Sequence, residues 1–486
     1  MVRPSSSAYP AGSGQHETPL SHHRETAVPS NPSPHSADEP VTVLAGGEVL
    51  TMDGQREILV NGGVAFSPGG ILAVGPARDV LDRFAGAEVV DTTGSVVTPG
   101  LVNTHQHLTG DRLAHSMIPD DIGSEESIFG WAVPLHSHHT ADDDEISATL
   151  SCVESLLEGV TTVVEAGTVA HPERVADAME ATGIRGAVST WGWDLAPGPG
   201  SGPAAEVLTR QREAAAIERD GGRIRGWVAL VGHDLVSDEL FVGAAELARE
   251  IGTRLTFHMS PTPADAVSYR RRGMGRPLVH LHRLGVLGPE TVVSHAVHVD
   301  RAEVDALAAS GAAVAYCPWA YLRLAQGVTG AGRHHQMMDE GVRVGIGCDS
   351  ENASDSLSVM RAAVLGVGLA RDMTADPEAM GAWDALEWAT ARGGEVLGGH
   401  RTVGILAPGA VADVVVHSTD GPWWWPRGDT AQQLAWSDGG RSVSDVWVGG
   451  RRVVAEGRCL TVDTDLLRDR ARAASRDLLA RAGLGG

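Results

Sequence analysis

Between residues 96 and 350 short apolar runs alternate with amphipathic stretches, and this alternation constrains the fold more than any other feature. The runs are VVTPGLVNTH, TTVVEAG, IRGAVST, RGWVALVG, TRLTFHMS, TVVSHAVH, AAVAYCP and VRVGIGCDS. Between them lie segments such as DDEISATLSCVESLLEG and SDELFVGAAELAREIG, apolar at three- and four-residue spacing. Runs apolar on both sides need helices on both faces, which is the α/β layer arrangement. Eight such units over about 300 residues suit a (β/α)8 TIM barrel, expected over 98–400. An open doubly wound sheet is the alternative. The barrel is preferred because residues capable of chemistry end five of the runs, where a barrel gathers them at one mouth.

The flanks read differently. Residues 40–97 (VTVLAGGEVLTMDG, ILVNGGVAFSPGGILAVG, AEVVDTTGSVVTPG) alternate apolar and turn residues at close spacing, as short strands do. The texture returns over 401–462 in TVGILAPGAVADVVVHS and VSDVWVGGRRVVAEGR. The two flanks are expected to form one small discontinuous β-domain. A helix with a glycine stop is expected within 463–486. Residues 1–39 are rich in Ser, Pro, His and Gly and offer no core, so a disordered arm is expected. Its His16, His22, His23 and His35 have neither HxH nor HxxxH spacing and read as solvated.

Charge and composition narrow the function. With 62 acidic and 38 basic residues the formal net charge is −24. That excludes the cationic face a sequence-independent nucleic-acid binder needs, and adhesion to an anionic membrane. No run of about 18 apolar residues exists to span a bilayer. The N-terminus lacks the apolar core of a secretory signal, and four scattered cysteines form neither a disulfide framework nor a CxxC knuckle. A cytoplasmic location is expected. The chain has no lysine at all. A lysine Schiff base, a P-loop ending in GK[ST] and a carboxylated lysine bridging two metals are therefore all excluded.

His105 and His107 form an HxH at the end of the first run. On a strand, residues i and i+2 point to the same side, so both imidazoles can converge on one ion. His258 ends the fifth run, His295 the sixth with His298 three residues on, and Asp349 the eighth. In a barrel these ends surround one mouth.

TPGLVNTHQHL resembles the first-strand signature of the amidohydrolase superfamily, and His258, His295 and the GIGCDS segment with Asp349 fall where that superfamily has its other site residues. The resemblance covers roughly residues 41–460. VVSHAVHVD, AAVAYCP and GVRVGIGCDSENASDS are more narrowly similar to one branch. It holds the cytosine, guanine and S-adenosylhomocysteine deaminases, the s-triazine chlorohydrolases, and the phenylurea and molinate hydrolases. The resemblance implies a mononuclear site in which His105, His107, His258 and Asp349 ligate one divalent ion. Zinc is expected, with Fe, Co or Mn as alternatives. His295 would hydrogen-bond the water or the substrate. The ion would lower the pKa of its water towards about 7, and Asp349 would take the proton.

Two positions depart from the deaminase pattern. The strand-five HxxE glutamate, which protonates a ring nitrogen, is here Pro261 in His258-Met259-Ser260-Pro261. After the seventh run, NPxSN or CPxSN becomes Cys317-Pro318-Trp319-Ala320-Tyr321. Proline has no proton to give. Attack on a carbonyl needs that acid less. The sequence therefore favours hydrolysis of an amide-, urea- or carbamate-like bond of a small molecule, by a homo-oligomer. The alternative is an aminohydrolase or dechlorinase of a nucleobase-, nucleoside- or triazine-like heterocycle; a barrel that lost catalysis is a third class. Tyr321, Trp319, Glu351, Asn352, His298 and Glu165 are candidate substrate contacts. Asp234, Trp131, Trp191 and Trp193 lie near the expected mouth. The Trp423-Trp424-Trp425 run reads as packing or subunit contact.

Overall fold

A computed structural model of the chain describes residues 39–399 and 402–484. The arm expected over 1–39 lies outside the described residues except for Glu39.

Eight parallel strand positions follow one another in chain order. They are Leu101–Gln106, Val160–Glu165, Arg185–Val188, a divided fourth position, Leu255–Met259, Thr291–His295, Ala313–Tyr316 and Arg343–Ile346. The fourth is split at Trp227. Ile224–Gly226 pairs with the third strand and Val228–Gly232 with the fifth. The Trp227 N–H donates to the Val188 carbonyl (2.9 Å) across the split. The eighth strand meets the first through Thr104 Oγ1, which donates to the Ile346 carbonyl (2.8 Å). The Cys348 and Asp349 N–H groups both donate to the His105 carbonyl at 3.0 Å. The architecture is thus an α/β (β/α)8 barrel, and its closing seam lies at His105 and Asp349.

Helices form where the sequence places an apolar stripe and a cap. Asp238–Ile251 buries Leu240, Phe241, Ala244, Ala245, Leu247 and Ala248, the three-to-four spacing of one helix face. Ser237 Oγ accepts the Leu240 N–H at its start, and Gly252 at φ +75° ends it. Ala141–Leu157 opens with a capping box between Thr140 and Asp143 and three acidic residues in its first turn. Thr464–Arg481, capped by Asp463, packs Leu467, Ala474 and Leu478 on Leu113, Leu135, Ile146 and Val153.

A nine-stranded sheet is built from both flanks. Its order is Arg458–Cys459, Arg451–Ala455, Val443–Val448, Val414–Ser418, Ser95–Pro99, Thr42–Leu50, Ile58–Ser67 and Gly70–Pro76, with Glu88–Asp91 also on Thr42–Leu50. The central pairing, Ser95–Pro99 antiparallel to Val414–Ser418, joins the two flanks. Gly100 then starts the turn into the barrel. A Cβ there would meet Thr161 Oγ1 at 2.0 Å, so only glycine fits. Sheet and barrel are also joined by Arg185, at the start of the third barrel strand, which donates two hydrogen bonds to Asp413 (2.7 and 2.9 Å). In the tryptophan run, Trp424 is fully buried and donates to Asp438 (3.2 Å), Trp423 is half-buried, and Trp425 is exposed. Among the described residues no helix is long and apolar enough to cross a membrane.

Candidate metal centre

His105 and His107 leave the end of the first strand, His258 the fifth, His295 the sixth, and Asp349 follows the eighth. All five are buried. The ring hydrogen bonds at the outer nitrogens orient the imidazoles. His105 Nδ1 meets Ser294 Oγ (2.7 Å), His107 Nδ1 meets Thr168 Oγ1 (3.0 Å), and His258 Nδ1 donates to the Val231 carbonyl (2.8 Å). That leaves the three Nε2 atoms facing one another, as metal-binding imidazoles held from behind do. His258 Nε2 lies 3.3 Å from His107 Nε2. Asp349 Oδ1 lies 3.7 Å from His105 Nε2 and 3.4 Å from His107 Nε2.

These spacings fit an ion. Donors placed tetrahedrally at about 2.1 Å from zinc lie about 3.4 Å from each other. His105 Nε2 is buried with no hydrogen-bond partner, which a ligand atom would be without its ion. Burial holds His258 well below the ordinary imidazole value, so it is neutral near pH 7 as ligation requires, and holds His295 at about 3, so it is neutral there too. Burial opposes the charge of Asp349, but the neighbouring His105 and His107 outweigh it and keep the carboxylate well below its ordinary range. The donor set suits one divalent ion per chain. Elemental analysis of active protein is expected to give one equivalent; two would overturn the single-ion assignment.

The backbone carries a cost at this mouth. His233, Ser260, His295, Ala296 and Asp349 are non-glycine residues at φ +56°, +55°, +79°, +49° and +66°. Each such conformation costs about 1–3 kcal/mol and persists only where the surroundings enforce it.

The candidate substrate contacts are placed variously. Glu165, fully buried, accepts the N–H groups of Leu108 (2.6 Å), Gly167 and Thr168 (2.9 Å each), tying the first strand's exit to the second. Tyr321 is fully buried. Its hydroxyl accepts the Cys317 N–H (2.8 Å), and its ring stands edge-on to His295 with centroids 5.7 Å apart. His298 Nε2 donates to the Gln326 carbonyl (2.6 Å). Glu351 pairs with Arg112 (2.7 Å), which also holds Glu154, and burial pushes its carboxyl up to about 7. Asn352 donates to Ser127 Oγ (2.8 Å) and, through its backbone, to Asp111 (2.5 Å). Trp319 is half-buried with its indole N–H unpartnered. Trp131 packs near the C-terminal helix.

Two residues at the mouth escape sequence reasoning. His233 directly follows the fourth strand, and its Nδ1 donates to Asp265 Oδ2 (2.9 Å), which also accepts the Ser260 N–H (2.6 Å). Its ring stacks on His258 with centroids 5.8 Å apart. Burial lowers the His233 pKa, but the Asp265 carboxylate outweighs it and holds the imidazole above its ordinary value. The only signal was a histidine closing an apolar run; its partner lies 32 residues on.

The amidohydrolase family model matches residues 96–453. A 5-methylthioadenosine/S-adenosylhomocysteine deaminase of Symbiobacterium thermophilum is 34% identical over 403 residues, covering 81% of this chain and 89% of that protein. Another of that name, from Natronomonas pharaonis, is 32% identical over 455 residues, covering 90% and 98%. Among solved structures, an adenosine deaminase from Xanthomonas campestris with bound zinc superposes with a TM-score of 0.85 at 25% identity, covering 90% of this chain and 98% of that one.

Proposed function

The chain belongs to the amidohydrolase family and is a hydrolase of carbon–nitrogen bonds other than peptide bonds; from that premise we propose that it is a metal-dependent aminohydrolase releasing ammonia from an amino-substituted nitrogen heterocycle. The observation that carries this reading is the His233–Asp265 pair. Pro261 removes the acid that ring deamination needs, and on sequence alone this favoured amides, ureas and carbamates. Asp265, four residues beyond Pro261 in the first turn of the helix Ala264–Arg271, restores a carboxylate nearby and acts through His233. With Nδ1 committed to Asp265, His233 has Nε2 free, on a ring stacked against a metal ligand. The relatives named as deaminases of adenosine-type compounds support the same reading.

His105, His107, His258 and Asp349 would hold a divalent ion, which would supply Lewis acidity and lower the pKa of the attacking water. Asp349 accepts the proton of the attacking water and returns it to the departing amine. His233 Nε2–H donates to the ring nitrogen as the attacked carbon becomes tetrahedral. His295, kept neutral by burial and braced by the Tyr321 ring, faces Asp349 Oδ2 from 3.9 Å. It hydrogen-bonds the charge that develops there. Ammonia leaves, and as the ring carbon becomes a carbonyl the remaining hydroxyl proton is released and His233 regains the proton it gave.

The test is ammonia release by purified metal-loaded enzyme from aminopurines, aminopyrimidines and aminotriazines. Ureas, carbamates, amides and a chlorotriazine are assayed beside them. Ammonia from a heterocyclic amine is expected. Amine from a urea, carbamate or amide, or chloride from the triazine, with no ammonia from any heterocycle, would overturn the reading. His233→Ala is expected to lower kcat/KM by about 10²–10⁴-fold, the range for a general acid, with metal content unchanged. An unaltered rate would remove His233 from the chemistry.

A further inference from the structure

On one side of the metal centre the protein buries more nitrogen than it pairs. His136, Trp191 and Trp193 are 8%, 5% and 2% exposed. Neither indole N–H, and neither nitrogen of His136, has a hydrogen-bond partner among the described residues. Buried polar groups are ordinarily paired, so several unpaired together mark a place where something else supplies the partner.

The three rings form one group. His136 and Trp191 have centroids 5.0 Å apart, and Trp191 and Trp193 5.8 Å. Their backbone lies between the supports of two metal ligands. The Trp191 N–H donates to Val169, next to the Thr168 that holds His107, and the Gly192 carbonyl accepts the N–H of Val231, whose own carbonyl holds His258. His136 sits against Gly110, three residues beyond His107, where a Cβ would meet its Nε2 at 2.0 Å. The indoles are also fixed: a Cβ on Gly198 would meet Trp193 Cζ2 at 1.9 Å, and one on Gly200 would meet Trp191 Cβ at 2.4 Å. Nearby carboxylates are committed elsewhere. Asp144 holds His139 and the N–H groups of Ala170 and His171, and Glu165 holds three backbone N–H groups.

We propose that His136, Trp191 and Trp193 form the subsite that selects the substrate. They would take an uncharged planar heteroaromatic amine bearing a hydrogen-bond acceptor, such as a ring carbonyl, on the edge away from the reacting amino group. The inference rests on the aminohydrolase reading and deepens it. Flat aromatic walls favour a flat ring. Two fixed indole N–H groups donate and cannot accept, so they reward an acceptor and leave an acceptor-free ring with unpaired donors facing it. Burial holds His136 well below its ordinary value, so it adds no positive charge.

The experiment compares guanine with 2-aminopurine and isocytosine with 2-aminopyrimidine, pairs distinguished by a ring carbonyl. Binding to the metal-loaded enzyme is measured by calorimetry and turnover by ammonia release. The carbonyl-bearing member of each pair is expected to bind about tenfold tighter. Trp191→Phe and Trp193→Phe each keep a ring and lose the N–H. Each is expected to reduce that preference about 3–10-fold, with metal content unchanged, by weakening the carbonyl-bearing member and, since one unpaired donor is gone, strengthening the carbonyl-free one. A packing role alone would change thermal stability and leave the preference intact. No preference in the wild type, no binding of any of the four, or an unchanged preference in both variants would each overturn the subsite. Retained binding preference without ammonia release from any heterocyclic amine would instead overturn the aminohydrolase reading and leave the subsite standing.

Discussion

Asp349→Asn is expected to reduce turnover by at least about 10³-fold while the protein keeps its fold. The side chain has two duties. One oxygen lies 3.7 and 3.4 Å from the His105 and His107 Nε2 atoms, and in the proposed reaction the carboxylate carries the water's proton to the leaving group. Asparagine preserves the shape and one coordinating oxygen but cannot accept that proton, so the general-base contribution, about 10²–10⁴-fold, is lost together with part of the metal affinity. The backbone at φ +66° suits asparagine better than most residues, so the substitution adds little strain. Kinetics on protein whose metal content has been matched to the wild type separate the two duties. Wild-type turnover at equal metal content would refute the proton-carrying role.

Asp413→Ala is expected to cost about 3–5 kcal/mol, the usual result of stripping one partner from a buried ion pair. Its side chain is 1% exposed, it receives both Arg185 hydrogen bonds, and it also accepts the Gly449 N–H (2.8 Å). The variant leaves the Arg185 charge and a backbone donor without their acceptor at the junction of sheet and barrel. Against a typical total of about 5–15 kcal/mol, that loss removes much of the margin. Urea unfolding measures it directly. Arg185→Leu combined with Asp413→Ala should recover part of the loss, because it withdraws the stranded charge. A single variant within about 0.5 kcal/mol of wild type would show that the junction is held by packing alone.

The barrel was legible because its strands are largely buried and read as apolar runs, five of them ending at residues capable of chemistry. The HxH pair could be placed on one side of a strand by period alone. The division of the fourth strand was not legible. RGWVALVG reads as one continuous run, and only the change of pairing partner at Trp227 divides it. Nor could sequence show how the polar residues around the mouth are used. Glu165 ends a strand as His258 and His295 do, yet its oxygens meet three backbone N–H groups. Tyr321 was expected among the substrate contacts, yet its hydroxyl closes a bond four residues back along its own chain. His233 lacked any recognisable spacing because Asp265 lies beyond a helix and the fifth barrel strand, 32 residues on.

The pairing of Ser95–Pro99 with Val414–Ser418 has a consequence for how the protein is made. Thr98 and His417, in contact across it, are separated by 319 residues. On a ribosome the first strand emerges long before its partner exists. Throughout that interval one edge of the nascent sheet has no neighbour and is a template for pairing with another chain. A barrel that closes early shortens the wait in space though not in time, since it brings its two ends together and leaves a much smaller loop to close. Any transcript that stops short of residue 414 yields a chain with that edge permanently bare.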